Sequence, residues 1–293
     1  AAMLQGRHVL SHTTSDAIIR LAVKHGLGAV RTWVGFAMLA SGVQAWWDRQ
    51  DVPALKHGRT DPAAPKCHPV IMEPINMTPR RNINVAAMEQ SNGFSMLGAP
   101  PKDLFSLGEG GHVRDKDGTF AGLLVAEIAA WAKENGTTLL EILDKEIYLD
   151  PEVGLIYNHY EPAPMDGEYE GLAGYTKKKS VLMKAEALLE KARTERVEIC
   201  GMTVTSTQIY RTGKYDGVNW PGFPDEGIRF YFDNCPYTYL TLRPSGTSNA
   251  LRFHFQLKAG DVTKENLKEK KRRILEKAKK VVATVREMWG ASE

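Results

Sequence analysis

Cysteine is scarce in this chain: Cys67, Cys200 and Cys235 are three in 293 residues. Their odd number, wide separation and lack of a C-x-x-C pair exclude a disulfide framework or a zinc cluster read from spacing, and a reducing cytoplasm is the expected compartment. No run of about 18 uncharged apolar residues occurs, and no apolar stretch follows a basic start, so neither a membrane partner nor a signal peptide is expected. Excess charge of one sign is missing as well. With 38 Lys and Arg against 35 Asp and Glu, the formal net charge is +3, and any basic site must be local. None of the eight histidines sits in a G-x-S-x-G, H-E-x-x-H or C-x-x-C-H context. There is no Walker-type loop, and Gly108, Gly110 and Gly111 are not followed by the pattern of a dinucleotide fingerprint.

Apolar material, by contrast, is ample. At 43% hydrophobic residues the chain can fill two cores, since compact domains run to about 100–200 residues. Ser15-Asp16 ahead of Ile18, Ile19, Leu21, Ala22 and Val23 predicts a capped helix ending near Gly26, with a short buried strand at 29–32. A second helix is predicted over 36–47. Residues 48–84 then lose periodicity and collect Pro53, Pro62, Pro65, Pro69, Pro74 and Pro79, as a long loop or insertion does. A strand at 85–88 follows. Asp117 opens a long amphipathic helix through Leu123, Leu124, Ile128, Ala129 and Trp131 to a stop at Asn135-Gly136, and a short helix covers 139–145.

Residues 151–174, rich in proline and glycine, read as a linker between a first domain at 1–150 and a second at 175–293. The second is expected to hold a helix at 178–193, strands at 199–208, 227–233, 237–242 and 251–257, and a final helix from Thr263 to about Trp289. That helix carries Leu267, Ile274, Ala278, Val281, Val282, Val285 and Trp289 on one stripe. The expected fold is α/β: a mixed-sheet α/β domain, then a smaller α+β domain of sheet and helices. Ala1-Ala2-Met3 reads as a cloning or processing remnant, with the first domain truncated at its start.

The sharpest chemical signal is Arg243-Pro244-Ser245-Gly246-Thr247-Ser248-Asn249 between two strands. A guanidinium fork, three hydroxyls and backbone N–H groups freed by a glycine turn converge there, as they do around a phosphate dianion. The same composition also serves a plain polar hairpin turn. At Glu89 and Ser91, an E-x-S pair offers two carboxylate acceptors and a hydroxyl, enough to read vicinal sugar hydroxyls, and equally an exposed loop with a capping Glu. Residues 261–293 hold ten Lys and Arg against six Asp and Glu. The apolar stripe of that helix makes its lysines a solvated face, and stacking aromatics are absent, so no nucleic-acid partner is expected.

Leu242-Arg243-Pro244-Ser245-Gly246-Thr247 with the strand Leu251-Arg252-Phe253-His254-Phe255 resembles the phosphate-binding loop in the last domain of the α-D-phosphohexomutases, the phosphoglucomutase and phosphomannomutase family. Met88-Glu89-Gln90-Ser91-Asn92-Gly93-Phe94 is similar to that family's sugar-specificity loop. Val113-Arg114-Asp115-Lys116-Asp117-Gly118 is similar to the stretch that sets a basic residue near the substrate phosphate ahead of a long helix. Thr32-Trp33-Val34-Gly35-Phe36 resembles a further loop of the family's third domain, with Ala37 where a lysine is usual and Gln90 in place of a common second glutamate. The resemblance implies that the first domain is of the phosphohexomutase third-domain type. It assigns substrate binding to Glu89, Ser91, Arg114 and Lys116, and phosphate binding to Arg243, Ser245, Gly246, Thr247 and Ser248.

The family's reaction implies interconversion of hexose 1-phosphate and hexose 6-phosphate through a phosphoserine and a bisphosphate, with magnesium as cofactor. That chemistry needs a serine loop of the T-A-S-H-N-P kind and a metal loop of the D-x-D-x-D kind. Neither stands in this sequence, so no catalytic residue and no metal ligand is assigned. Asp115 and Asp117 read as helix-capping acids. The resemblance therefore leaves two readings: the phosphosugar-recognition part of an enzyme whose amino-terminal catalytic domains lie in the same or another chain, or a non-catalytic phosphosugar-binding relative.

Overall fold

A computed structural model of the chain describes residues 6–47, 83–90, 93–103, 106–161, 169–245 and 249–291. Most of the proline-rich stretch read as a loop lies outside the described residues. The protein is α/β and its described residues form two compact units: 6–47 and 83–155 with 262–267, and 156–261 with 268–291. Among the described residues no helix is long and apolar enough to cross a membrane.

The first unit begins with β1 (Gly6–Ser11), α1 (Ala17–Lys24), β2 (Gly28–Thr32), α2 (Phe36–Trp47), β3 (Ile83–Glu89) and β4 (Gly93–Ser95). The sheet order is β2-β1-β3-β4, parallel except for β4. Alternation along β1 places successive side chains on opposite faces. Val9 packs with Val30, Phe36, Leu39, Val43 and Ala87 beneath α2, and Leu10 packs with Ile19, Ala22, Leu27 and Ala29 beneath α1. The chain runs from β1 outward to β2 and then back past β1 to β3. With crossovers of one hand, that reversal moves the helix to the other face and opens a switch point between β1 and β3.

Two details depart from the sequence reading. Strand β1 was not anticipated, since a six-residue run that includes Arg7 and His8 gives no apolar alternation. Asp16 makes no cap hydrogen bond to α1; Ser15 Oγ accepts from Ala17 N, and the fully buried Asp16 pairs with Arg31 of β2.

Beyond β4 come α3 (Gly118–Glu134), α4 (Leu139–Leu143) and a π-helical turn at Asp144–Tyr148. Asp117 caps α3, its Oδ1 accepting from Phe120 N at 2.9 Å. Thr138 and Glu141 form a reciprocal capping box on α4, which satisfies N–H groups that have no partner within the helix. Of the apolar stripe expected along α3, Leu123 at 63%, Ile128 at 46% and Trp131 at 54% are exposed and Leu124 and Ala129 are half-buried, while Ala132 is buried. Glu127, Lys133 and Glu134 are its sole charges, so the helix is apolar nearly all round and its pattern could not designate one inward face.

The second unit is a six-stranded antiparallel sheet in the order β5-β10-β9-β8-β7-β6. Its strands are β5 (Ile156–Glu161), β6 (Glu198–Ile199), β7 (Met202–Tyr210), β8 (Gly227–Phe232), β9 (Cys235–Pro244) and β10 (Leu251–Lys258), and its helices are α5 (Gly171–Thr194) and α6 (Leu267–Trp289). Val181, Leu182, Ala185 and Leu189 of α5 and Ala278, Val281, Val282, Val285 and Trp289 of α6 share one core with Phe230, Leu240, Phe253 and Phe255. The other face of the sheet is polar yet covered, with Gln208, Arg229, Thr241, His254 and Gln256 all buried. Arg229 lies 4.0 Å from the Tyr239 ring and donates through Nε to Thr241 Oγ1 at 2.8 Å. The stretch read as a linker supplies β5, which pairs with β10 along its length. Its Pro and Gly residues flank a six-residue strand that neither forms its own hairpin nor signals a partner so far away in sequence.

Candidate functional site

Glu89 ends β3 at the switch point, beside the end of β1, where ligands of open α/β sheets bind. Its Oε2 accepts the Gly35 backbone N–H at 3.1 Å, which ties the carboxylate to the entrance of α2. Gly93 is the residue that permits this approach. A Cβ there would come within 2.6 Å of Glu89 Cγ and 2.9 Å of Phe36 Cδ2.

The 112–117 segment is laid along β4 by three hydrogen bonds: His112 N to Met96 O at 2.9 Å, Ser95 Oγ to Val113 O at 2.5 Å and Asp117 N to Phe94 O at 2.7 Å. The His112 ring stacks on Phe120 at 3.9 Å between centroids. This seating carries Lys116 Nζ to 5.3 Å from the Phe36 ring centroid. Phe36, which Lys116 approaches, thus flanks Gly93 together with Glu89, although Phe36, Glu89 and Lys116 are distant in sequence. Lys116 also binds Asp115 at 3.0 Å across an exposed surface, and this ammonium holds the Asp115 carboxyl below its usual range. Ion pairs so exposed are worth little, and a ligand anion can compete for the lysine.

Arg114 is set apart from that pair. It donates to Ser106 O at 3.3 Å and lines a cavity of about 210 Å³ with Ala40, Ser41, Gln44, Trp47 and Leu97, further along α2 than Phe36. Ser91 lies outside the described residues.

In the second unit, Arg243 stands near the end of β9, and its Nε donates to Glu226 Oε2 at 3.1 Å. Gly227, at φ +112°, allows β8 to close on β9 there: a Cβ would meet Leu242 O at 2.6 Å and Arg243 Cβ at 3.2 Å. Arg252 of β10 is the cross-strand partner of Arg243. Ser245 N donates to Ala250 O at 2.8 Å and closes the loop, while Gly246, Thr247 and Ser248 lie outside the described residues. The sequence reading passed over Glu226, which precedes β8 by one residue. Its one sequence signal is an acid placed at a strand entrance beside a glycine. Next to it, burial raises the Asp225 carboxyl, which accepts from Thr212 N at 2.7 Å.

Neither acid of the 112–117 segment suits magnesium, since Asp115 is paired with Lys116 and Asp117 caps α3. Among the described residues no group of three or more His, Cys, Asp or Glu side chains could hold a metal ion.

Over 158 residues the chain is 27% identical to a phosphoglucomutase of Staphylococcus saprophyticus. The match takes in 51% of this chain and 25% of that protein, so it spans about a quarter of the curated relative's length. No protein-family profile matches the chain.

Proposed function

We propose that this chain is the phosphosugar-recognition portion of a phosphohexomutase, with a first unit of the third-domain type that reads sugar hydroxyls and a second unit that holds phosphate. The observation that carries the reading is that Lys116 Nζ stands 5.3 Å from the Phe36 ring centroid while Phe36 and Glu89 both flank Gly93, which sets a cation and a carboxylate acceptor around one residue of the first unit. Glu89 would accept hydrogen bonds from vicinal hydroxyls, and Lys116 would supply a point charge to an anionic group. Arg243 would present a fork to phosphate, joined by Ser245, Gly246, Thr247 and Ser248. Interconversion of hexose 1- and 6-phosphates would need a phosphoserine and a magnesium loop supplied by amino-terminal catalytic domains, in this or another chain. The cytoplasm is the proposed compartment. The likeness to a phosphoglucomutase supports the family. That neither loop occurs in these 293 residues keeps a second reading, a non-catalytic phosphosugar-binding relative.

Calorimetric titration with inorganic phosphate and a hexose phosphate tests the proposal. Arg243→Ala should weaken both by roughly one to two orders of magnitude, because hydrogen bonds to charged groups are worth about 1.5–3 kcal/mol. Arg243→Lys should recover part of the loss. The chain alone, given glucose 1-phosphate, magnesium and a bisphosphate primer, should show no turnover. Phosphate binding unchanged in Arg243→Ala would place the anion site elsewhere. Mutase activity restored by adding a catalytic half separates the enzyme reading from the binding relative.

A further inference from the structure

Beside Glu89 lies a group of buried hydroxyls that the proposed function does not use. Ser11, the last residue of β1, is fully buried, and Thr13 and Thr14 just beyond it are 1% and 4% exposed. Ser11 Oγ stands 2.8 Å from Thr14 Oγ1 and 3.3 Å from Thr13 Oγ1. Thr14 Oγ1 in turn accepts the backbone N–H of Gln90 at 3.2 Å. That amide is the peptide immediately after Glu89, so its direction sets how the Glu89 residue leaves β3.

We propose that Thr14, braced by Ser11, is a positioning residue that fixes the Glu89 turn and thereby sets which hexose epimers the site accepts. The inference rests on the reading of Glu89 as a hydroxyl acceptor. Glu89 is held at two points, the carboxylate by the Gly35 amide and the following peptide by Thr14. The two anchors lie in the turns that follow β2 and β1, each three residues past the strand's last residue. Discrimination between epimers demands acceptor placement to a fraction of an ångström. A threonine hydroxyl supplies that as a fixed bond, where a solvated loop would leave the turn to adapt to any epimer. Burial excludes water from the Ser11, Thr13 and Thr14 group, so a lost hydroxyl cannot be replaced cheaply.

The test compares the parent chain with Thr14→Val, Thr14→Ser and Glu89→Gln. Each is titrated with inorganic phosphate, glucose 6-phosphate and the C2 and C4 epimers of that sugar phosphate, and amide exchange is followed at Gln90. Thr14→Val should narrow the spread of affinities among the epimers by about three- to tenfold, keep inorganic phosphate within twofold of the parent and speed exchange at Gln90. Thr14→Ser should restore both the spread and the protection. Thr14→Ala gives the same comparison if the branched side chain prevents folding. If Thr14→Val discriminates like the parent while Glu89→Gln does not, the positioning role is wrong and the site reading stands. If Glu89→Gln also discriminates like the parent, or the parent binds all three epimers equally, the site reading fails and the inference falls with it.

Discussion

Arg243 donates through Nε to Glu226 Oε2 at 3.1 Å, with side-chain exposures of 11% and 10%. The pair holds the guanidinium plane from one edge, and among the described residues Glu226 is its partner. A covered cation that loses its carboxylate is left without compensation. Glu226→Ala should therefore cost about 1–3 kcal/mol of stability, read as a drop of several degrees in Tm. Glu226→Gln keeps an acceptor for Nε and removes a negative charge. It should melt closer to the parent and bind inorganic phosphate at least as tightly. A Glu226→Ala protein that melts with the parent would show that the pair does not hold Arg243.

At Gly93 the constraint is steric. Its added Cβ would press on Glu89 Cγ and on the ring of Phe36, which is 4% exposed and cannot retreat. Gly93→Ala should destabilise the first unit by about 1–3 kcal/mol and displace the Glu89 carboxylate. Hexose phosphate affinity should fall more than inorganic phosphate affinity. Equal losses for the two ligands would mean that Glu89 does not contact the sugar.

Acid should weaken the first unit through His8. Burial, with the nearby His25 imidazole adding to it, lowers the His8 pKa from 6.5 to about 4, and among the described residues its Nδ1 has no hydrogen-bond partner. Because the folded value lies below the unfolded one, the unfolded chain takes the proton first as pH falls. Stability present above pH 6.5 is then lost on the way down to about pH 4, by at most ~3 kcal/mol. His8→Val should flatten that part of the profile. Urea unfolding of parent and variant at pH 7 and 4.5 measures the difference, and parallel profiles would assign the acid sensitivity to other groups.

Ala37 offers a gain-of-function test. It is exposed on the first turn of α2, next to the Phe36 that Lys116 approaches, and the resembling family usually carries a lysine there. Ala37→Lys should tighten hexose phosphate binding by about three- to tenfold at low salt, with the gain fading as salt screens the added charge. Calorimetry at two ionic strengths reads this. No change at low salt would place the bound phosphate away from the start of α2.

Much of the local architecture was legible. Helix α2 spans the residues its periodicity marks, the Asp117 cap and the Asn135-Gly136 stop bound α3, and the β7, β8, β9 and β10 strands fall within a few residues of their alternating runs. These features are written in neighbours three or four residues apart, or two apart in strands, and need no distant partner. Less legible were β1, whose polar residues lie in the strand between two parallel neighbours, and β5, whose pairing partner is β10.

The sequence by itself determined which chemical groups are present: the Glu89 turn, the basic segment at Arg114 and Lys116, and the Arg243 loop with its turn residues. The tertiary structure decided which of these groups stand together. Packing of the 112–117 segment along β4 brings Lys116 to Phe36 and leaves Arg114 at a separate cavity. Likewise, the approach of β8 to β9 at Gly227 couples Arg243 to Glu226. The physical reason is that local pattern encodes backbone conformation within a few residues. An ion pair or a cation beside a ring depends on sheet order and register, and burial across the whole unit sets those.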